Sequence, residues 1–150
     1  MATTTKLDVP LIEDEKALID VMTTPSPEVR EAVSRIDDDL MILGVAGKMG
    51  PTLAELLVRA GARRRVLGVS RFSDPAQRDA LEAVGVKTIR CDLLDDNALS
   101  ALPDAGHIFL LAGFKFGATG NESLTWAMNT LVPAKVMQRF PKAKIVYVSS

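Results

Sequence analysis

The sequence predicts an α/β fold, a doubly wound parallel sheet with helices on both faces. Three observations carry this. From residue 39 onward, short apolar runs and amphipathic stretches alternate five times. The connections between them are short, which suits right-handed crossovers. The first run, residues 40–45, is apolar throughout, as a strand covered on both faces must be.

Each element has a local reason. Residues 50–60 read as a helix, with Leu53, Leu56, Leu57 and Ala60 on one face and Gly61 ending it. Residues 66–70 form a second strand. Asp74 caps a helix that has Pro75 at its first position, runs to Val84 and stops at Gly85. Strands follow at 86–91 and 108–112, with a short helix at 95–102 between them. A long helical pattern covers 122–140, and Pro133 inside it predicts a kink or a later start. The fifth strand is 144–149.

Residues 1–38 differ. Helices are predicted over 12–22 and 27–36, separated by Thr23-Thr24-Pro25-Ser26-Pro27. Ser26 caps the second, Pro27 starts it, and Glu28 and Glu31 suit its positive end. Asp37-Asp38-Asp39 closes the segment. It reads as an N-terminal helical extension, packed on the domain or on a partner, or else a solvated arm.

The totals exclude several classes. Of 150 residues, 47% are hydrophobic and 25% charged, as in a soluble single domain. A net charge of −1 gives no case for nucleic acid or an acidic membrane surface. No apolar run is long enough to span a bilayer, and the first residues carry no signal pattern. The single cysteine, Cys91, excludes an intrachain disulfide. These features together favour the cytoplasm. The lone histidine, His107, is read as a solvent-facing loop residue, and no metal is expected. Cys91 reads as a small core residue. Trp126 and Phe140 read as core or interface packing.

The loop between the first strand and the first helix of the sheet region is Gly44-Val45-Ala46-Gly47-Lys48-Met49-Gly50. Phosphate binding needs a tight turn, close backbone approach and a helix packed near the strand. Gly44, Gly47 and Gly50 meet those needs, and the amides at the helix start then face a diphosphate. Lys48 adds a charge. A ligand-free strand-to-helix turn is the rival reading, and the strand–loop–helix context favours NAD or NADP on a Rossmann-type sheet. The second strand ends Ser70-Arg71-Phe72-Ser73, with no carboxylate at Ser70 or Arg71. Arg71 is placed to take a 2′-phosphate, with Ser70 or Ser73 donating, which favours NADP over NAD. Arg71 as a solvated loop residue is the alternative.

At this point Gly44-x-x-Gly47-x-x-Gly50 resembles the motif of the NAD-dependent epimerase/dehydratase family, the extended short-chain dehydrogenase/reductases. Cys91-Asp92-Leu93, Leu110-Leu111-Ala112-Gly113, Asn129 in Met128-Asn129-Thr130, and the strand Ile145-Val146-Tyr147-Val148-Ser149-Ser150 follow in the family's order. The resemblance covers residues 39–150. Leu43 stands where the family often has Thr, and the residues between the glycines depart from its usual choices. It implies that the loop 44–50, Met49 included, holds the pyrophosphate and that Arg71 faces the adenosine ribose. Asp92 and Leu93 would flank adenine, and Ala112 and Gly113 would line the path to nicotinamide. Asn129 would order the site. Ser150, or its neighbour Ser149, would be the catalytic hydroxyl; each also reads as a strand-end hydroxyl satisfying a turn.

The family's Tyr-x-x-x-Lys pair is absent. Tyr147 is the only tyrosine and no lysine follows it, so it reads as packing. The chain is therefore expected to be the N-terminal part only, truncated after the fifth strand, with the substrate lobe absent. Alone it is expected to bind cofactor weakly or not at all and to catalyse nothing. The implied activity is hydride transfer on a nucleotide sugar or similar hydroxyl/carbonyl substrate. A non-catalytic NADP sensor is the alternative, and a domain for S-adenosylmethionine a third. Loop 114–120, with Lys115, could close over substrate or be a plain connector. Self-association into a homo-oligomer is expected.

Overall fold

The structure, a computed structural model, describes residues 11–114 and 120–148. Five strands form one all-parallel sheet: β1 Leu40–Leu43, β2 Val66–Ser70, β3 Lys87–Arg90, β4 His107–Leu110 and β5 Lys144–Tyr147. Their order is β3-β2-β1-β4-β5, so the winding reverses at β1. Leu40 pairs with Val66 on one side and His107 on the other. This Rossmann-like arrangement is the predicted one.

Pleat alternation sorts β1 onto two cores. Leu40 and Ile42 join Ala54 and Leu57 of α3 (Gly50–Arg59), and Leu81 of α4 (Pro75–Ala83). Met41 and Leu43 face the other way, toward Leu99 of α5 (Asp96–Ser100) and Val132 and Val136 of α7 (Val132–Arg139). All four strand residues are buried at 1% exposure or less, each contributing about 1.5–3 kcal/mol. Their burial explains why β1 carries no polar residue.

The extension forms two helices. Asp14, not Ile12, sets the start of α1 (Glu15–Thr23), because its carboxylate accepts the Ala17 amide. Ser26 caps α2 (Pro27–Ser34) as predicted. Of the open alternatives, packing on the domain is the one observed: Val33 is buried with Leu40 and Leu57. Arg59 at the end of α3 donates to Asp20 at 2.9 Å and to the buried Thr23 hydroxyl at 2.6 Å. Arg30 in turn donates to the Arg59 carbonyl at 2.9 Å. At the amino end of the sheet, the Arg65 guanidinium and amide hold Asp39. That hydrogen bonding keeps the Asp39 carboxyl below its usual range.

Three expectations need correcting. The pattern at 122–140 is not one helix. It comprises α6 (Glu122–Trp126), a π-helical turn (Ala127–Leu131) and α7, with Pro133 in the first turn of α7. Pro133 has no amide to return to the Asn129 carbonyl, and the Tyr147 hydroxyl donates there instead, at 3.3 Å. Of the core-or-interface reading, the core half fails for Trp126, which is 71% exposed, and holds for Phe140, which is buried. His107 is no loop residue. It opens β4, is half-buried between Leu40 and Lys144, and keeps Nδ1 out of solvent.

Candidate functional site

The winding reverses between β1 and β4, and a crevice opens there at the strands' carboxyl ends. A cleft of about 290 Å³ occupies it. Its size is near the lower end of small-molecule pockets, ~300–1,000 Å³. Gly44, Ala46 and Gly47 line it from the first loop, Ser70 to Ser73 from the end of β2, Cys91, Asp92 and Leu93 from the end of β3, and Leu111, Ala112 and Gly113 from the end of β4. Gln77 of α4 and Met128 of the π turn complete it.

The three glycines do different work. Gly44 has φ +90°, and a Cβ there would lie 2.6 Å from the Ala112 amide nitrogen. A Cβ on Gly50 would lie 2.0 Å from the Val45 carbonyl oxygen. Both are therefore required by the protein's own backbone. A Cβ on Gly47 would meet only the Gly44 carbonyl oxygen, at 3.3 Å. The fold alone asks little of Gly47, which is the glycine on the cleft that closest approach of a ligand would require.

Helix α3 starts without a side-chain cap. Helix α6 also starts without one, whereas Asp14, Ser26, Asp74 and Asp95 each cap their own helices. At the α3 start the Leu53 amide bonds the Met49 carbonyl at 3.1 Å, Pro51 has no N–H, and no side chain caps the remaining amides. Such an end favours an anion. These are the observations on which a dinucleotide fits the site: a helix start with no side-chain cap, a glycine-lined floor and a cleft at the carboxyl ends of the strands.

Arg71 is exposed at the cleft and has no ion-pair partner among the described residues. Asp74 serves as the cap of α4, accepting the Ala76 amide at 2.9 Å. Asp92 is exposed, with Oδ1 accepting the Leu94 amide at 3.0 Å. Cys91 is buried in the core, as predicted, and burial pushes its thiol up, with Asp92 and Asp95 adding to the shift. Asn129 is outside the cleft lining. Its side chain clasps Phe114, accepting the amide at 2.9 Å and donating to the carbonyl at 2.8 Å. Lys48 and Met49 are exposed on the loop but do not line the cleft, and Gly50 is buried beneath it. Ser149, Ser150 and Lys115 lie outside the described residues.

Sequence reasoning missed three contributors. Phe72 is buried at the cleft with φ +49°, a strained value for a non-glycine residue. Gln77 faces the cleft from the first turn of α4, and only its place after the Asp74 cap hinted at this. Met128 had one signal, its position before Asn129.

A family model for the NAD dependent epimerase/dehydratase family matches residues 40–150. The chain belongs to this family. Solved structures agree in fold. The Bordetella bronchiseptica enzyme WbmF, in complex with NAD+ and UDP, matches at TM-score 0.64 and 22% identity, over 77% of this chain and 36% of its own. Epimerase Mth375 from Methanothermobacter thermautotrophicus matches at TM-score 0.65 and 22% identity, over 87% and 39%. UDP-glucose-4-epimerase from Stenotrophomonas maltophila, with bound NAD and formylated UDP-arabinopyranose, matches at 0.65 and 17%, over 75% and 37%. The chain thus spans little more than a third of the length of these relatives. No curated protein matches it. Among the described residues no helix is long and apolar enough to cross a membrane, and no cluster could hold a metal ion.

Proposed function

We propose that residues 39–150 form the cofactor-binding part of an epimerase/dehydratase-type oxidoreductase, with residues 1–38 as a helical prefix. It holds NAD or NADP and acts on a nucleotide sugar or similar hydroxyl/carbonyl substrate. The uncapped start of α3 beside Gly47 is the observation that carries this reading. The loop 44–50 takes the pyrophosphate on backbone amides, with Gly44 and Gly50 setting its shape and Lys48 and Met49 on its outer side. Arg71, helped by Ser70 and Ser73, takes the ribose end and favours NADP through a 2′-phosphate. Asp92 and Leu93 bound the base. Ala112 and Gly113 let the nicotinamide half lie against β4, and Asn129 keeps Phe114 out of its path. When bound, the cofactor supplies the hydride acceptor or donor. Ser150, with Ser149 beside it, hydrogen-bonds the substrate oxygen.

Cytoplasmic location and self-association complete the proposal. The buried single thiol supports the first, and exposed Val146 and Val148 on and beside β5 support the second.

Protein-observed NMR titration with NADP, NAD and S-adenosylmethionine tests the reading, since it follows weak as well as tight binding. NADP should shift the amides of Gly44, Gly47 and Met49 and bind more tightly than NAD. Arg71→Ala should remove that difference. Response to S-adenosylmethionine alone, or no response at the loop, would overturn the assignment.

A further inference from the structure

Helix α7 carries two cations four residues apart, Lys135 and Arg139, on the side that meets α5. They grip its opposite ends. Arg139 donates to the Leu102 carbonyl at 2.5 Å and to Asp104 at 2.8 Å, beyond the last turn of α5. Lys135 Nζ donates to the Leu94 carbonyl at 3.3 Å, just before α5, and at 2.6 Å to Asp96, its first residue. The Lys135 side chain is only 19% exposed, yet Asp96 is 78% exposed. A pair with so exposed a carboxylate contributes little by itself. The second partner, the backbone carbonyl, is what gives the lysine a local task.

That carbonyl belongs to the turn 92–95, which includes the two cleft residues Asp92 and Leu93. The turn closes on itself: Leu94 donates to Asp92 Oδ1 at 3.0 Å and Asp95 to the Asp92 carbonyl at 3.1 Å. Among the described residues, Lys135 is the one hydrogen-bond donor from outside the turn to the Leu94 carbonyl. Strand order places β3 beyond β2 as seen from the glycine loop. In dinucleotide folds the ribose meets the end of the second strand. The base, one step further from the pyrophosphate, then falls at the end of β3, against this turn.

We propose that Lys135 is a positioning residue for the base subsite: its ammonium fixes the turn 92–95 so that Asp92 and Leu93 present a set wall to the purine and its amino group. The inference rests on the cofactor reading above. It also gives one helical run two tasks. Asn129 secures the β4 wall of the cleft, and Lys135 secures the β3 wall.

The test compares three variants by NMR titration with NADP or NAD and with the corresponding hypoxanthine dinucleotide, which lacks the amino group. Lys135→Met keeps the apolar stem and removes the ammonium. It should weaken binding of the adenine form about tenfold, the scale of one charge-assisted hydrogen bond, and abolish preference over the hypoxanthine form. Lys135→Arg should restore the preference. Arg139→Met, the matched control at the other end of α5, should lower the thermal midpoint and leave the preference intact. If Lys135→Met does not fold, Lys135→Gln replaces it with the same expectation. Unchanged preference in the Lys135 variant, or equal loss in the Arg139 variant, would overturn the proposal. A wild-type chain that bound neither dinucleotide would overturn the cofactor reading itself, and this proposal with it.

Discussion

Alanine at each of the three loop glycines separates what the fold needs from what a ligand needs. At Gly44 the φ of +90° is left-handed, costing about 1–2 kcal/mol for an L side chain. The new Cβ also meets the Ala112 backbone at 2.6 Å, an overpacking cost of about 1–3 kcal/mol. Together these make about 2–5 kcal/mol, a large share of a typical stability of about 5–15 kcal/mol. For a domain of this size each kcal/mol lowers the melting temperature by about 2–4 °C. Gly44→Ala should therefore melt about 4–20 °C lower. Gly50→Ala has no φ penalty but drives a Cβ to 2.0 Å from the Val45 oxygen, so α3 must lift from the loop, and a similar loss is expected. Gly47→Ala meets one oxygen at 3.3 Å and should cost under about 1 kcal/mol. Its effect should fall on NADP or NAD affinity instead, about tenfold or more, because the methyl stands where phosphate must approach. Circular-dichroism melts and NMR titration read the two quantities. Should Gly47→Ala melt as early as Gly44→Ala, or bind the dinucleotide as the wild type does, the division of labour argued from these contacts would be wrong.

Four further outcomes are expected. Leu43→Ala removes a fully buried side chain from the central strand and should cost about 2–5 kcal/mol in urea unfolding. Because Arg65 lowers the Asp39 carboxyl, its stabilising contribution is present above the ordinary carboxylate range and is lost as pH falls through the lowered value. Thermal midpoints of Asp39→Asn measured from neutral to acid pH should thus fall less steeply than those of the wild type; parallel curves would count against the pair. The buried Cys91 thiol, with its raised pKa, should react with Ellman's reagent much more slowly in the native chain than in urea, and equal rates would contradict its burial. Tyr147→Phe should lose about 0.5–1.5 kcal/mol through the hydrogen bond to Asn129, measurable by chemical unfolding.

What could be read from the sequence was local or periodic. Ser26-Pro27 and Asp74-Pro75 announced helix starts because capping involves atoms within three residues of each other. The parallel sheet followed from short apolar runs alternating with amphipathic stretches across short connections. Strand ends were overdrawn for a physical reason. Val45 is as buried as Leu43, yet it belongs to the turn rather than to the ladder, and burial alone does not mark where pairing stops. Features that depend on distant partners stayed hidden. The π turn exists between Pro133 and an acceptor satisfied by Tyr147, eighteen residues away in sequence from Asn129. Phe72 in a left-handed conformation is held by core packing that no neighbouring residue encodes. At the candidate site, the glycines were legible because a tight strand-to-helix turn demands them. Arg71 was picked out by its place at a strand end, and Asp92 and Ala112-Gly113 by the family resemblance. Gly44, Gly47, Arg71, Asp92, Ala112 and Gly113 do line the cleft. Gln77 and Met128 enter through the crossing of helices over the sheet, which a one-dimensional pattern does not carry.

The hub at Arg59 bears on anyone who would trim this protein. The family match begins at Leu40, which invites an expression design starting there. Such a design would delete Val33, strip apolar cover from the cluster that holds Leu57 and Ala60, and leave Arg59 and Glu55 facing water without Asp20 and Thr23. The sticky flank so created lies on the helix that directly follows the cleft's glycine loop. Poor yield from the shortened version would then reflect a missing lining, not a defective nucleotide fold.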